Sequence, residues 1–432
     1  MVKAGFRGGV HPDDRKSATA GLPVTRAGVP DRIVIPMSQH LGAPCEPSVA
    51  VGDRVERGRI VGDIRAMVSA PVHSPVNGTV TAIVDVLLAG GTRSAAVEIE
   101  PDAEQDFESW LPVTETETME LACAAGLVGM GGAAFPTRVK LRPPADMPIS
   151  CVILNGCECE PFLTCDHRVM LEKAEAVVGG GRKIAEIVGA KRVVIGVEDN
   201  KPDAIAALRE HAGGDVEVLA LATRYPQGAE KQLILAALGK EVPHGKLPAA
   251  TGALVHNVGT AAALWEAYQL KKPLMERVVT VSGAVARPGN YLTLVGTPIS
   301  ALLETAGGVT EEQVRVIAGG PMTGAALGSL DVPVVKGTSG VVVLRMSESA
   351  PAVDGDQPCI RCGRCRDACP MYLLPYELGT QANVRLWDGC ERLHALDCIE
   401  CGCCAYACPT RRPLVQLIRG SKAALMARGA KL

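Results

Sequence analysis

Long apolar runs are missing from this chain. Its longest, such as Val341-Val342-Val343-Leu344, fall far short of the roughly 20 residues a membrane helix needs, so any membrane association has to come through partners or the surface. Net charge is also small, −3 from 44 basic and 47 acidic residues, which argues against a nucleic-acid-binding surface. Aromatic residues are few, with four Phe, six Tyr and three Trp, while Ala, Val and Gly are plentiful. That balance suits tightly packed helix-on-sheet units. No secretory signal peptide is evident, so the 16 cysteines are not read as a secreted disulfide framework, and a reducing cytosol fits them better. At 432 residues the chain should hold several domains, each burying its own core.

What the chain does have is one cysteine pattern written twice. Cys359, Cys362, Cys365 and Cys369-Pro370 form the first run, and Cys398, Cys401, Cys404 and Cys408-Pro409 the second. C-x2-C-x2-C-x3-C-P is the ligand signature of paired [4Fe–4S] clusters, in which the fourth cysteine of each run ligates the other cluster. The pattern therefore pairs Cys359, Cys362 and Cys365 with Cys408, and Cys398, Cys401 and Cys404 with Cys369. Zinc knuckles share the C-x2-C step, but zinc would leave the third and fourth cysteines of each run without a role. Such a chain moves electrons one at a time.

The other eight cysteines are Cys45, Cys123, Cys151, Cys157, Cys159, Cys165, Cys390 and Cys403. Four of them crowd between Cys151 and Cys165, but their spacing matches no cluster motif, and free cysteine is commonly a small buried hydrophobe. Cys403 lies outside the register that runs from Cys398 through Cys404, so its thiol should point elsewhere. The eight histidines show no metal-ligand spacing and read as structural or surface groups. After Arg411 the chain carries Arg412, Arg419, Lys422, Arg428 and Lys431 and no acidic residue. This run suits an anionic lipid or an acidic partner, with a solvated helix face as the plainer reading.

Along the chain the patterning divides into an N-terminal extension (1–30), a strand-rich block (31–105), an α/β block (115–272), a second strand-rich block (273–345), a linker (346–358) and the cysteine block (359–432). The first strand-rich block has Gly-Asp and Pro turns and resembles the barrel-sandwich hybrid of biotinyl and lipoyl carriers. Carriers modify a lysine within a run like Ala-Met-Lys-Met. Here the stretch reads Ala66-Met67-Val68-Ser69, and Val68 cannot form the amide, so the fold is expected as a docking module without the carrier chemistry. In the α/β block, helix-period segments at Met170 to Ile187 and Ala229 to Leu238 flank strands such as Arg192 to Val197, the rhythm of a mostly parallel sheet covered by helices. The next block reads as strands, Val278 to Val285 first, with a short helix over Ile299 to Thr305.

Two elements of the α/β block carry chemistry. The first is a glycine loop, from Gly126 through Gly129, Gly131 and Gly132 to Phe135 and Lys140. Clustered glycines let backbone N–H groups approach a phosphate, and Lys140 adds a point charge. The loop lacks the third glycine of G-x-G-x-x-G, and a plain turn is the competing reading. The second is the buried strand Cys151 to Leu154, which ends in Asn155-Gly156-Cys157-Glu158-Cys159-Glu160-Pro161. Carboxylates at the C-terminal end of a central strand sit where α/β folds bind ligands, and they can accept hydrogen bonds from ribityl or ribose hydroxyls or a nicotinamide amide. Polar groups in Tyr225 to Lys231 and His256 to Thr260 stand beside further helix starts.

Together these residues resemble the RnfC family, whose members belong to the Rnf complex, a membrane-bound ferredoxin:NAD oxidoreductase. The likeness runs over nearly the whole chain and includes Gly8-Gly9-Val10-His11-Pro12, Pro36 to Pro44, Ile195 to Pro202, Gly319-Gly320-Pro321-Met322 and both cluster motifs. The α/β block is similar to the flavoprotein subunit of respiratory complex I, and the second strand-rich block to the β-grasp domain called SLBB. The resemblance implies two [4Fe–4S] clusters, FMN and NAD(H), with Rnf membrane and ferredoxin-type subunits as partners and a peripheral place on the cytoplasmic face of the cell membrane. By its residue matches, Gly129, Gly131, Gly132 and Lys140 would cradle the FMN phosphate. Asn155, Glu158 and Asn257 would hold the isoalloxazine and ribityl groups, and Phe135, Glu160 and Glu230 would face the nicotinamide nucleotide, with Glu160 and Glu230 as the catalytic pair.

Two positions depart from the family. Ala134 stands where glycine is usual, so its backbone is expected to avoid a positive φ, and Cys157 replaces a small residue. A hydride carries two electrons and a cluster takes one, and a flavin converts between them. Two rival readings remain at this level: a soluble relative serving cobalamin or proline reductase, and an electron wire whose nucleotide site is dead, for which Ala134 is the sole support.

Overall fold

The computed structural model describes residues 5–348 and 358–430. Residues 1–4 of the extension, 349–357 of the expected linker and Lys431 of the basic run therefore lie outside the described residues. The α/β block centres on a four-stranded parallel sheet ordered Val216–Leu221, Arg192–Glu198, Cys151–Gly156, Ala253–Asn257. Its strands read as unbroken apolar runs because both faces are covered. Val152, Leu154, Val193, Ile195 and Val197 face one hydrophobic cluster, while Ile153, Val194 and Val255 face the other with Leu233 and Ile234. On the first face the helices Ala174–Val188 and Val258–Leu270 cross so closely that a Cβ on Gly180 would come within 1.9 Å of the Ala261 carbonyl oxygen. The single helical period read over Met170 to Ile187 is two helices, Cys165–Glu172 and Ala174–Val188, because Lys173 leaves the helical region at φ −131°.

The first strand-rich block folds as two small antiparallel sheets. One is ordered Ile33–Pro36, Arg93–Pro101, Gly78–Leu87, Arg54–Val55, the other Glu46–Pro47, Ile60–Asp63, Val72–His73. Ile33, Ile35, Val55, Val72, Val97 and Ile99 fill the space between them. The stretch read against the carrier lysine is a surface turn, with Met67 78% exposed. The second strand-rich block is a six-stranded mixed sheet in which Glu276–Gly283 and Gly340–Arg345 are central, backed by the helix Ile299–Thr305. The cysteine block is helical, ending in Leu414–Ala427. Among the described residues no helix is long and apolar enough to cross a membrane.

The N-terminal segment is not a separate extension. Its strand Val24–Arg26 pairs in parallel with Gly289–Leu294 of the second strand-rich block. Upstream, Gly9 donates its N–H to the Ala368 carbonyl (2.9 Å), and Val10 bridges to Tyr225. Lys16 is buried, and its ammonium donates to the carbonyls of Glu158 (2.8 Å), Glu160 (2.9 Å) and Leu163. One strap thus holds the acidic loop, the sheet beside it and the first cluster run.

A charged junction ties the blocks together. The Glu276 carboxylate receives Lys272 (2.7 Å), Arg26 (2.9 Å) and Arg57 (3.0 Å), with Arg57 and Glu276 only 1% and 5% exposed. Burial alone would raise the Glu276 carboxyl, but the Lys272 and Arg57 cations outweigh it and hold it at about 2. Glu276→Gln leaves Arg57 buried without a countercharge, so we expect a loss of about 3–5 kcal/mol in urea unfolding at neutral pH. A carboxylate depressed on folding adds stability above its unfolded value of roughly 4.3, and that stability is lost as pH falls toward 2. The gap between wild type and variant should therefore close across that acid range.

Candidate flavin and cluster sites

Asn155 and Asn257 are register partners at the carboxyl ends of adjacent parallel strands. From Cys151–Gly156 the chain builds the sheet outward in one direction, through Arg192–Glu198 to Val216–Leu221, then returns to place Ala253–Asn257 on the other side. That reversal opens a crevice, the usual ligand position in open α/β sheets. The glycine loop closes over it. Gly129 donates to the Phe135 carbonyl (2.9 Å), Val128 bridges to Pro136, and Gly131 to Ala133 remain exposed at the mouth. The resulting cleft has a volume of about 630 Å³ and is lined by Gly131, Gly132, Asn155, Glu158, Glu160 and Asn257, by Asp166 and Tyr225, by the Gly319-Gly320 turn, and by Cys401. That volume is within the range of small-molecule sites.

The acidic loop is fixed from several sides. Glu158 has a left-handed backbone (φ +45°), and its carboxylate accepts from the backbone N–H groups of Asp166 (2.6 Å) and His167 (3.2 Å), capping the helix Cys165–Glu172. Asn155 donates to the Gly228 carbonyl (2.8 Å). Asn257 caps its own helix through Gly259 N–H (2.8 Å) and donates its amide to Asp166 (2.6 Å). Burial and the nearby Glu158 charge push the Asp166 carboxyl up. Glu160 reaches the opposite wall, accepting from Met322 N–H (3.1 Å) and the Thr323 hydroxyl, and burial raises its carboxyl too. Beside it lies the Tyr225 hydroxyl (3.4 Å), which donates to the Cys401 carbonyl at 2.7 Å. Burial keeps that phenol protonated.

Four expected site residues are not on this lining: Gly129, Phe135, Lys140 and Glu230. The Lys140 ammonium, expected at a phosphate, is engaged by Glu230 (3.0 Å) and the Val255 carbonyl (2.6 Å). Ala134 also departs from expectation, since its φ is +52°. The loop imposes the left-handed conformation that glycine supplies elsewhere, at a cost of about 1–2 kcal/mol for alanine. The missing glycine is thus no sign of a dead site. Ala134→Gly should change stability by no more than about 1 kcal/mol, whereas Ala134→Val should cost about 1–3 kcal/mol, read from urea midpoints.

The cysteines of the two runs gather in two small pockets. Cys359, Cys362, Cys365 and Cys408 line one; Cys369, Cys398, Cys401 and Cys404 line the other. The sequence repeat is also a backbone repeat. Arg361 and Glu400 have φ +54° and +56°, Gly363 and Gly402 +78° and +83°, Tyr372 and Arg411 +56° and +53°. Arg361 N–H points at the Cys359 sulfur and Glu400 N–H at that of Cys398, both at 3.4 Å. Each pocket therefore offers four thiol donors in the same loop geometry. Cys403 shares the wall of the second pocket and has its thiol toward the Tyr225 carbonyl at 3.9 Å.

Of the remaining thiols, Cys165 groups with Glu158 and Asp166 rather than with other cysteines. Three side chains that spacing could not join, His244, His394 and Asp397, also converge, with His244 Nδ1 2.6 Å from Asp397. The roles of Lys16, Asp166 and the Gly319–Thr323 turn were not visible in the sequence. Asp166 had a faint signal, eleven residues beyond Asn155 at a helix start.

Comparison with known proteins gives these sites their family. Residues 4–104 match the RnfC barrel sandwich hybrid domain, 123–266 the Nuo51 FMN-binding domain, 278–326 the SLBB domain and 358–411 the 4Fe-4S dicluster domain. The chain is 44% identical over 442 residues to the RnfC protein of the proton-translocating ferredoxin:NAD(+) oxidoreductase complex of Clostridium ljungdahlii, covering 100% of this chain and 96% of that protein. The chain belongs to the RnfC family. Its counterpart in the Na(+)-translocating ferredoxin:NAD(+) oxidoreductase complex of Acetobacterium woodii is 45% identical over 441 residues, covering 100% and 99% of the two chains. The counterpart in the ion-translocating oxidoreductase complex of Rhodobacter capsulatus is 40% identical, covering 99% and 84%. Among solved structures, an NAD+-reducing [NiFe]-hydrogenase shares the fold, with TM-score 0.50 and 22% identity over 72% of this chain and 61% of that one. The expected order of barrel-sandwich, flavin, SLBB and dicluster domains is the one found, and this RnfC-family chain is an oxidoreductase subunit with FMN-binding and 4Fe-4S domains.

Proposed function

We propose that this RnfC-family chain exchanges hydride with NAD(H) in the cleft and relays single electrons through two [4Fe–4S] clusters, as a peripheral subunit on the cytoplasmic face of a membrane-bound ferredoxin:NAD(+) oxidoreductase. One observation carries the reading. The same cleft is walled on one side by the glycine loop and acidic strand end, and on another by Cys401 of the second cluster run. FMN, when bound, supplies the conversion between a two-electron hydride and single electrons.

The chain's own residues then have separate tasks. Gly131 and Gly132 present open backbone toward the phosphate end, while Gly129 shapes the loop and the Lys140–Glu230 pair steadies its base. The Asn155 and Asn257 amides, with Glu158 and Asp166 behind them, hold the ring and ribityl side. Glu160, whose carboxyl burial raises and which is held by Met322 N–H and the Thr323 hydroxyl, faces the nicotinamide. Phe135, off the cleft lining, stays with the glycine loop through its carbonyl contact to Gly129. Tyr225 connects the nicotinamide side to the carbonyl of a cluster cysteine.

The test is anaerobic addition of NADH to protein reconstituted with flavin and clusters. Bleaching of the cluster absorbance is expected, and its absence with flavin bound would sink the reading. Glu160→Gln should raise KM for NADH by about tenfold, the loss of one charge-assisted hydrogen bond, and leave iron content intact. Equal loss of iron would contradict the assignment.

A further inference from the structure

The two cluster loops share a backbone but not an environment. In the second run, Glu400 is held by Arg419 (2.7 Å) and Lys422 (2.7 Å), and Cys401 lines both the second pocket and the flavin cleft. The corresponding residue of the first run is Arg361. Arg361, Arg364 and Arg411 are all exposed, and among the described residues none makes an ion pair. The nearby acid, Asp367, is engaged by Arg366. Cys362 is the exposed cysteine of the first run, and Ile360 beside it is 60% exposed. Behind them Arg412, only 6% exposed, lines the first pocket with two guanidinium nitrogens, Nε and Nη1, unpartnered.

We propose that this face, Ile360 and Cys362 ringed by Arg361, Arg364 and Arg411, is the docking surface for an acidic one-electron carrier protein. The inference rests on the relay proposed above and names its outer port. Electron transfer falls steeply with distance, so the exchange must occur where a ligand reaches the surface, and Cys362 does. An apolar residue inside a charged rim is the anatomy of a transient protein interface, and exposed arginines that make no ion pair among the described residues steer an acidic partner to it. The step balances simply. One electron passes between the carrier's centre and the first-run cluster, oxidising one and reducing the other, with no atom transferred. A membrane surface would also attract the arginines, but it offers nothing to reduce.

The test uses the full, cofactor-loaded chain and a small acidic 2[4Fe–4S] ferredoxin as probe. Association in stopped-flow should slow at least tenfold as ionic strength rises from low to physiological. Arg364→Glu/Arg411→Glu should weaken it at least tenfold at low salt and flatten the salt dependence. Iron content and NADH-driven reduction of ferricyanide should stay at wild-type values. A wild-type rate indifferent to salt overturns the proposal whether or not the variant folds. So does a variant that binds the ferredoxin normally, or arginine-dependent binding to phosphatidylglycerol vesicles with none to the ferredoxin. Loss of NADH bleaching in the wild type would instead strike the relay itself.

Discussion

Cys408→Ser is expected to remove half the cluster iron, and to remove it from the run in which Cys408 does not lie. The first pocket is lined by Cys359, Cys362 and Cys365 together with Cys408, so the substitution leaves three thiolates there and four in the other pocket. Because the intact pocket holds Cys401, which also faces the flavin cleft, NADH should still bleach the remaining cluster. Delivery to a protein acceptor at the arginine-ringed face should fall at least a hundredfold. Cys369→Ser is the mirror experiment. It should empty the second pocket and interrupt the relay at its first station, so that NADH reduces neither cluster although the first still assembles. Iron per chain and low-temperature EPR of the NADH-reduced protein distinguish the two variants. If Cys408→Ser instead emptied the second pocket, the crossed pairing would be wrong.

The asymmetry between those variants marks where sequence reading stops. Which cysteines group together was legible because cluster ligands repeat at short spacing and a loop of that length has few ways to present them. Which cysteine group borders the cleft was not, because that depends on a contact between Tyr225 and Cys401 across 176 residues. The α/β core was legible in its apolar runs, since a parallel sheet buried on both faces has little choice of composition. The break at Lys173 was not, because the helical period continues through it and tertiary packing overrides it. Lys140 misled for a related reason. A lysine after a glycine loop reads as a phosphate charge, but Glu230, ninety residues on, folds against it and takes that charge. The N-terminal segment read as an extension because its contacts, Lys16 to three carbonyls and Val24–Arg26 to a distant strand, use backbone partners that carry no sequence signal.

Gly131→Ala should weaken FMN binding about a hundredfold, through a side chain it does not itself possess. Its φ is unremarkable for an L-residue, so the backbone accepts alanine. The new Cβ, however, would lie 2.6 Å from Asn257 Nδ2, 3.0 Å from Cγ and 3.1 Å from Cβ. A neighbour contacted along its whole stem cannot escape by turning its tip. Asn257 must therefore move, and it has two duties: its oxygen caps the helix Val258–Leu270, and its amide is bonded to Asp166. Losing the cap costs about 1 kcal/mol, and leaving the half-buried Asp166 without that donor costs a further 1–3 kcal/mol or so. Both losses occur at the floor of the cleft. Gly132 provides the control, because a Cβ there meets nothing within 4 Å. Gly132→Ala should fold with wild-type stability, so any FMN lost in that variant reports close approach of the ligand to the loop. Fluorescence titration with FMN, alongside urea unfolding of both apo-proteins, separates the cases. Wild-type affinity in Gly131→Ala would mean that Asn257 does not shape the flavin site, and the assignment of the paired asparagines would fall with it.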